Sequence, residues 1–163
     1  MLPDDVVLRD ARAGDLPALI DALHHAVNWD GTERFTRSDL LAEPRLAGYV
    51  SGWPRPGDFG VVAMSGPNAV GAAWCRLLLA GEPGYGYVAD DVPEVSMGVA
   101  AGWRGRGVGT ALLGALIERA RARGLRRISL SVEDGNRARG LYERAGFTTV
   151  GRDGDSNVMV LTL

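Results

Sequence analysis

The chain has 163 residues, a formal net charge of −2, a pI near 5.7 and 46% hydrophobic residues. That length suits one domain with ample material for a core, here taken as residues 1–163. The charge argues against a nucleic-acid-binding or membrane-surface protein, and no apolar stretch approaches the ~18 residues of a membrane span. The start of the chain lacks an arginine-plus-apolar signal pattern, so the expected location is cytoplasmic. A single cysteine, Cys75, allows no internal disulfide, and its place in an apolar run reads as a packed, inert thiol.

Taken in chain order, Val6 to Arg9 reads as a first strand. A helix follows from Leu16 to near Asn28, with Asp15 as its N-cap, Pro17 in its first turn, and Leu16, Leu19, Ile20, Leu23 and Val27 at helical spacing. His24 and His25 on this helix read as surface or capping residues. Ser38 caps a second helical stretch to Val50, which Pro44 bends or interrupts. Phe59–Met64 and Ala69–Leu79 form a hairpin about the turn Ser65-Gly-Pro-Asn68. The polar, glycine-rich stretch from Ala80 to Pro93 reads as a mobile loop.

A strand, Glu94–Val99, then runs into the densest signal of the chain, Arg104-Gly-Arg-Gly-Val-Gly-Thr110, which opens a long helix. Val108, Leu112, Leu113, Leu116, Ile117 and Ala120 make its buried stripe, and Gly124 closes it. Successive amides and the positive end of a helix dipole make such a turn an anion site. Arginine adds fork-shaped donors suited to phosphate. A P-loop is excluded because it needs a lysine, and all 18 basic residues here are arginine. A dinucleotide fingerprint is excluded by spacing, because Leu112 and Leu113 stand where its third glycine would fall. The arginines at 119, 121, 123, 126 and 127 gather at a helix C-terminus, where the dipole favours cations. A strand to Glu133, a helix Asn136–Ala145, and a hairpin of Phe147–Gly151 with Asn157–Thr162 complete a mixed α/β layout, β-α-α-β-β-β-α-β-α-β-β.

Arg104-x-x-Gly107-x-Gly109 after a strand, with Asn136-x-Ala-x-x-Leu-Tyr142-x-x-x-Gly-Phe147 further on, resembles the paired signature of the GCN5-related N-acetyltransferases. The likeness is close over residues 92–151 and loose elsewhere. It implies an α/β (α+β) domain whose mixed sheet is splayed after the fourth strand, and acetyl-coenzyme A as acyl donor. By the same resemblance, Arg104, Gly105, Arg106, Gly107, Gly109 and Thr110 would hold its pyrophosphate, with Asn136 as a further contact. The backbone at Met97 and Val99 would pair with the pantetheine arm, and an amide near Met97 would face the thioester oxygen. Gly98 between them fits a bulge or a close backbone approach.

The resemblance makes Tyr142 the general acid toward the thiolate; the alternative is a packed ring whose hydroxyl bonds to backbone. Glu94 is either the base acting on the amine through water or a solvated strand-end carboxylate. Gly140, inside the last helix, departs from the family pattern: it either weakens that helix or admits a closer approach by coenzyme A. The expected activity is direct transfer to a primary amine of a small molecule or peptide, and the rival is a non-catalytic acyl-coenzyme A-binding module. Trp29, Asp30, Tyr49, Trp53, Trp74, Glu82, Tyr85 and Asp90 are the acceptor-side candidates, and their acidic, aromatic character suits a cationic amine. No metal site is assigned, and the family resemblance leaves room for a homodimer.

Overall fold

The computed structural model describes residues 2–163. Its strands are β1 (Val6–Asp10), β2 (Phe59–Ser65), β3 (Asn68–Arg76), β4 (Glu94–Val99), β5 (Arg127–Glu133), β6 (Thr148–Asp153) and β7 (Ser156–Thr162). They form one mixed sheet in the order β1-β2-β3-β4-β5-β7-β6, in which the β4–β5 pair alone is parallel. The helices are α1 (Leu16–Val27), α2 (Arg37–Ala42), α3 (Pro44–Ala47), α4 (Val108–Ala122) and α5 (Ala138–Ala145). Both the mixed sheet and the element order agree with the sequence reading, except that the second helical stretch is split in two.

Strand periodicity divides the core into two layers. Phe59, Val61 and Ala63 of β2, with Ala73 and Cys75 of β3, pack on the side covered by α4. Val62, Ala72 and Trp74, their alternates, pack with α1, α2 and α3. The stripe expected on α4 is buried at all six positions. Cys75 is wholly enclosed, and burial drives its thiol far above the ordinary range.

Several local readings are corrected. Asp15 holds the N-cap position of α1 as expected, but its side chain makes no cap bond: its carboxylate accepts from the Arg12 amide (2.6 Å) and from both Nη atoms of Arg9 (2.7 and 2.8 Å). Thr36, rather than Ser38, caps α2, in a reciprocal box with Asp39. Glu43 and Pro44 then break the helix, and α3 ends at Ala47. β3 stops at Arg76, leaving Leu77 and Leu79 exposed. The Arg76 guanidinium is buried instead, with Asp58 (2.7 Å), the Gly48 carbonyl (2.9 Å) and the Ser51 carbonyl (2.7 Å). A buried cation is tolerated when its donors are satisfied in this way.

Two glycines are decided by space. Gly98 of β4 faces α1, where an added Cβ would lie 1.8 Å from the Ala22 carbonyl oxygen. The register with β3 runs through it without interruption, so the close approach is present and the bulge is not. A Cβ at Gly140 would meet only the end of the Arg144 side chain, at 3.3 Å. Gly140 also lies off the cleft described below. Gly140→Ala is therefore expected to raise stability by about 1 kcal/mol through helix propensity, read by urea unfolding. A loss of stability would show that this position needs its glycine.

Candidate active site

The β4–β5 pair is hydrogen-bonded at a single register position, Glu94 with Ser129, and the two strands then diverge. The expected splay is present. Hydrogen-bonded pairs alternate along an antiparallel ladder, and the Ala100 amide donates to the Val70 carbonyl (2.9 Å). Counting back by twos along the constant β3–β4 register assigns 98, 96 and 94 to that ladder. Met97 and Val99 consequently turn their backbone groups away from β3, toward the gap. A cleft of about 1170 Å³ occupies this gap, lined by Met97, Val99, Gly105, Gly107, Gly109, Thr110, Asn136 and Tyr142 among others.

The turn into α4 is built by Gly105 (φ +72°) and Gly107 (φ +85°), a left-handed backbone that favours glycine. Gly107 is the N-cap of the 15-residue α4, so the free amides of its first turn open beside the cleft. The two arginines are not equivalent. Arg104 borders the cleft, but its guanidinium donates to the carbonyls of Val99 (3.2 Å), Trp29 (3.1 Å) and His25 (3.0 Å). It thus ties the end of α1 to the turn, a tethering role that sequence reading missed. Arg106 stacks over Trp103 at 4.3 Å and does not line the cleft. The backbone of this turn, more than its guanidinium groups, faces the space an anion would fill.

Tyr142 has its ring against Phe147 and borders the cleft, and its hydroxyl makes no hydrogen bond among the described residues. The alternative in which backbone holds that hydroxyl is absent from the structure. Burial raises its pKa to about 12, so the phenol stays protonated at any ordinary pH. Asn136 lies two residues before α5 rather than in it, and its Oδ1 accepts from the Ala138 amide (3.0 Å).

At the other end of the cleft, Glu94 is neither solvated nor on the cleft surface: it is 1% exposed. Its carboxylate accepts from the Gly86 amide (2.8 Å), the Tyr49 hydroxyl (3.0 Å) and the Gly84 amide (3.1 Å). Burial is the largest influence and raises its pKa, against the pull of those donors. The Ser129 hydroxyl also donates to the Gly86 carbonyl (2.7 Å), so this part of the stretch expected to be a mobile loop is pinned on both sides.

Of the acceptor-side candidates, Trp29, Asp30, Tyr49 and Tyr85 line the cleft. Trp53 and Trp74 are core residues bonded to the carbonyls of Arg12 and Tyr49, while Glu82 and Asp90 lie outside it. His25 also lines the cleft, contrary to the surface reading, and burial followed by the Arg104 charge lowers its pKa. Two ion pairs join the halves of the molecule here, Arg34 with Glu133 (2.6 Å) and Arg45 with Asp153 (2.6 Å). Arg45 also covers the Tyr85 ring at 3.9 Å. Partners this far apart in sequence leave no local signal.

A model of the acetyltransferase (GNAT) family matches residues 20–147. The chain is 51% identical over 55 residues to a mycothiol acetyltransferase of Beutenbergia cavernae, covering 33% of this chain and 18% of that protein. It is 52% identical over 50 residues to an L-methionine sulfoximine/L-methionine sulfone acetyltransferase of Pseudomonas aeruginosa, covering 30% of this chain and 29% of that protein. The matches thus span under a third of either relative. Over the whole fold, the structure of a GCN5-related N-acetyltransferase from Kribbella flavida superposes with a TM-score of 0.70 at 25% identity, covering 99% of both chains.

Proposed function

Because the chain belongs to the acetyltransferase (GNAT) family, we propose that it moves an acetyl group from acetyl-coenzyme A to a primary amine of a small molecule or peptide. The observation that carries this is the opening of β4 from β5, which leaves the Met97 and Val99 amides facing a cleft that ends at the glycine turn. The residues present fit the donor: amides at Gly107, Gly109 and Thr110 for the pyrophosphate, strand-like backbone at Met97 and Val99 for the pantetheine amides, and Asn136 on the opposite wall. Acetyl-coenzyme A supplies an acyl carbon activated as a thioester. The Met97 amide would donate to the thioester oxygen as it gains charge, a contribution of ~3–4 kcal/mol when such a donor is preorganised. Tyr142 would give its proton, or a hydrogen bond, to the departing sulfur. Glu94 would take the proton that the amine must lose.

On the acceptor side, Trp29, Asp30, Tyr85 and Asp155 line the cleft beside carboxylates already paired with arginine. This lining supports a cationic amine as the acceptor. Free-thiol release from acetyl-coenzyme A should be measured against a panel of amines, amino acids and peptides, with calorimetric binding of coenzyme A in parallel. Turnover is expected with cationic primary amines. Transfer confined to neutral or acidic acceptors would remove the cationic assignment, and binding without turnover on any amine would leave an acyl-coenzyme A-binding module.

A further inference from the structure

A base must exchange its proton with the substrate, yet the Glu94 carboxylate has almost no exposed surface and does not line the cleft. Its three described partners are the Gly84 amide, the Gly86 amide and the Tyr49 hydroxyl. Neither glycine borders the cleft, whereas Tyr49 does. The Tyr49 oxygen donates its proton to Glu94 Oε1 at 3.0 Å and accepts from the Tyr85 amide at 2.8 Å, which leaves one lone pair. We infer that Tyr49 is a further catalytic residue of the proposed reaction, relaying the proton of the acceptor amine to Glu94.

The step balances without any other reagent. An alkylamine arrives as an ammonium ion; one N–H bond breaks as its proton passes to the Tyr49 oxygen, and the Tyr49 O–H proton passes to Glu94 Oε1. The amine is left neutral and nucleophilic, Tyr49 is restored as a phenol, and Glu94 is a neutral carboxylic acid. After the product leaves, the same two transfers in reverse return the proton to water in the cleft. Tyr49 itself does not accumulate as phenolate, since burial and the Glu94 charge hold its pKa well above the ordinary phenol range.

The surroundings are built to hold this pair in one geometry. The Trp74 indole donates to the Tyr49 carbonyl (2.9 Å), fixing the backbone that carries the phenol. A Cβ at Gly84 would lie 2.4 Å from Glu94 Oε2 and 2.6 Å from the Tyr49 oxygen, so glycine alone lets the loop wrap so closely. The charged and titratable neighbours are few. Arg76, opposite Glu94 in the β3–β4 register, directs its guanidinium to Asp58 and to two carbonyls. Arg45 stands over Tyr85 and pairs with Asp153, and its charge draws the Glu94 pKa down. The Ser129 hydroxyl is committed to the Gly86 carbonyl.

The inference rests on the acetyl-transfer reading, and two probe amines of nearly equal shape separate the two. Ethylamine is almost wholly protonated at pH 7, and 2,2,2-trifluoroethylamine is almost wholly neutral. The kcat/KM of wild type, Tyr49→Phe and Glu94→Gln should be measured with each. For ethylamine, both variants are expected to lose about 100-fold, the usual worth of a positioned base. For trifluoroethylamine, which arrives already deprotonated, the loss should shrink to within about 10-fold. The acidic limb of the ethylamine pH profile should also flatten in both variants. Equal losses on the two amines, with an unchanged pH profile, would make Tyr49 a merely structural residue and overturn the relay. Absence of wild-type turnover on both amines and on every member of the amine, amino-acid and peptide panel would overturn the acetyl-transfer reading, and the relay with it.

Discussion

Gly98→Ala is expected to cost about 3 kcal/mol or more of folding stability, beyond the typical range for overpacking. The added Cβ would fall 1.8 Å from the Ala22 oxygen, 2.6 Å from its carbonyl carbon and 3.0 Å from its Cα. All three are backbone atoms of α1, so no side-chain rotation relieves the clash. The helix would have to lift from β4 as a body, drawing Leu19 and Leu23 out of the layer they share with Val62 and Trp74. For a chain of this length the cost corresponds to a fall in Tm of about 6–12 °C. A loss under about 1 kcal/mol in urea unfolding would show that α1 rests on β4 far more loosely.

Tyr142→Phe is expected to lower kcat by about 100-fold or more, with coenzyme A affinity and stability nearly unchanged. The hydroxyl makes no hydrogen bond within the described residues, so its removal strands no protein group; the ring keeps its edge contact with Phe147. A phenol near 12 is a weaker acid than a thiol near ~8.5. Under the proposed mechanism Tyr142 would therefore serve the sulfur while charge builds on it, since full transfer to a free thiolate runs uphill. Its own ionisation also lies too high to shape activity between pH 6 and about 10, so an alkaline limb in that range would belong to another group. Wild-type turnover in the variant would take Tyr142 out of the mechanism.

The glycine turn into α4 and the segment that carries Tyr142 were legible because they are local. Arg104 to Thr110 and Asn136 to Phe147 each fall within a few turns of chain, and their spacing carries their geometry. Even there, the role of Arg104 was not readable, because its carbonyl partners at His25 and Trp29 lie 79 and 75 residues away. The helix stripes and the strand order were equally plain, since period and order survive in any context. Caps were less so: Thr36 and Ser38 are both good N-caps, and the reciprocal Asp39 three residues on decides for Thr36. The environment of Glu94 was hidden for a different reason. A polar segment with Gly84 and Gly86 reads as solvent-facing loop, and nothing local shows that two of its amides will close on a carboxylate ten and eight residues later. The ion pairs Arg34–Glu133 and Arg45–Asp153 span 99 and 108 residues, beyond any spacing argument.

The side-chain cations at the cleft, in the core and at the glycine turn are guanidinium groups: Arg34 and Arg45 at the cleft, Arg76 in the core, Arg104 and Arg106 at the glycine turn. The sequence has no lysine at all, and its one thiol is sealed at 0% exposure. Guanidinium groups stay protonated and make poor nucleophiles, whereas a lysine amine or an open thiolate attacks thioesters readily. With acetyl-coenzyme A held in the cleft as proposed, the protein would offer the activated acyl group hardly any side chain to modify. Its surface would be passive toward the donor proposed for it.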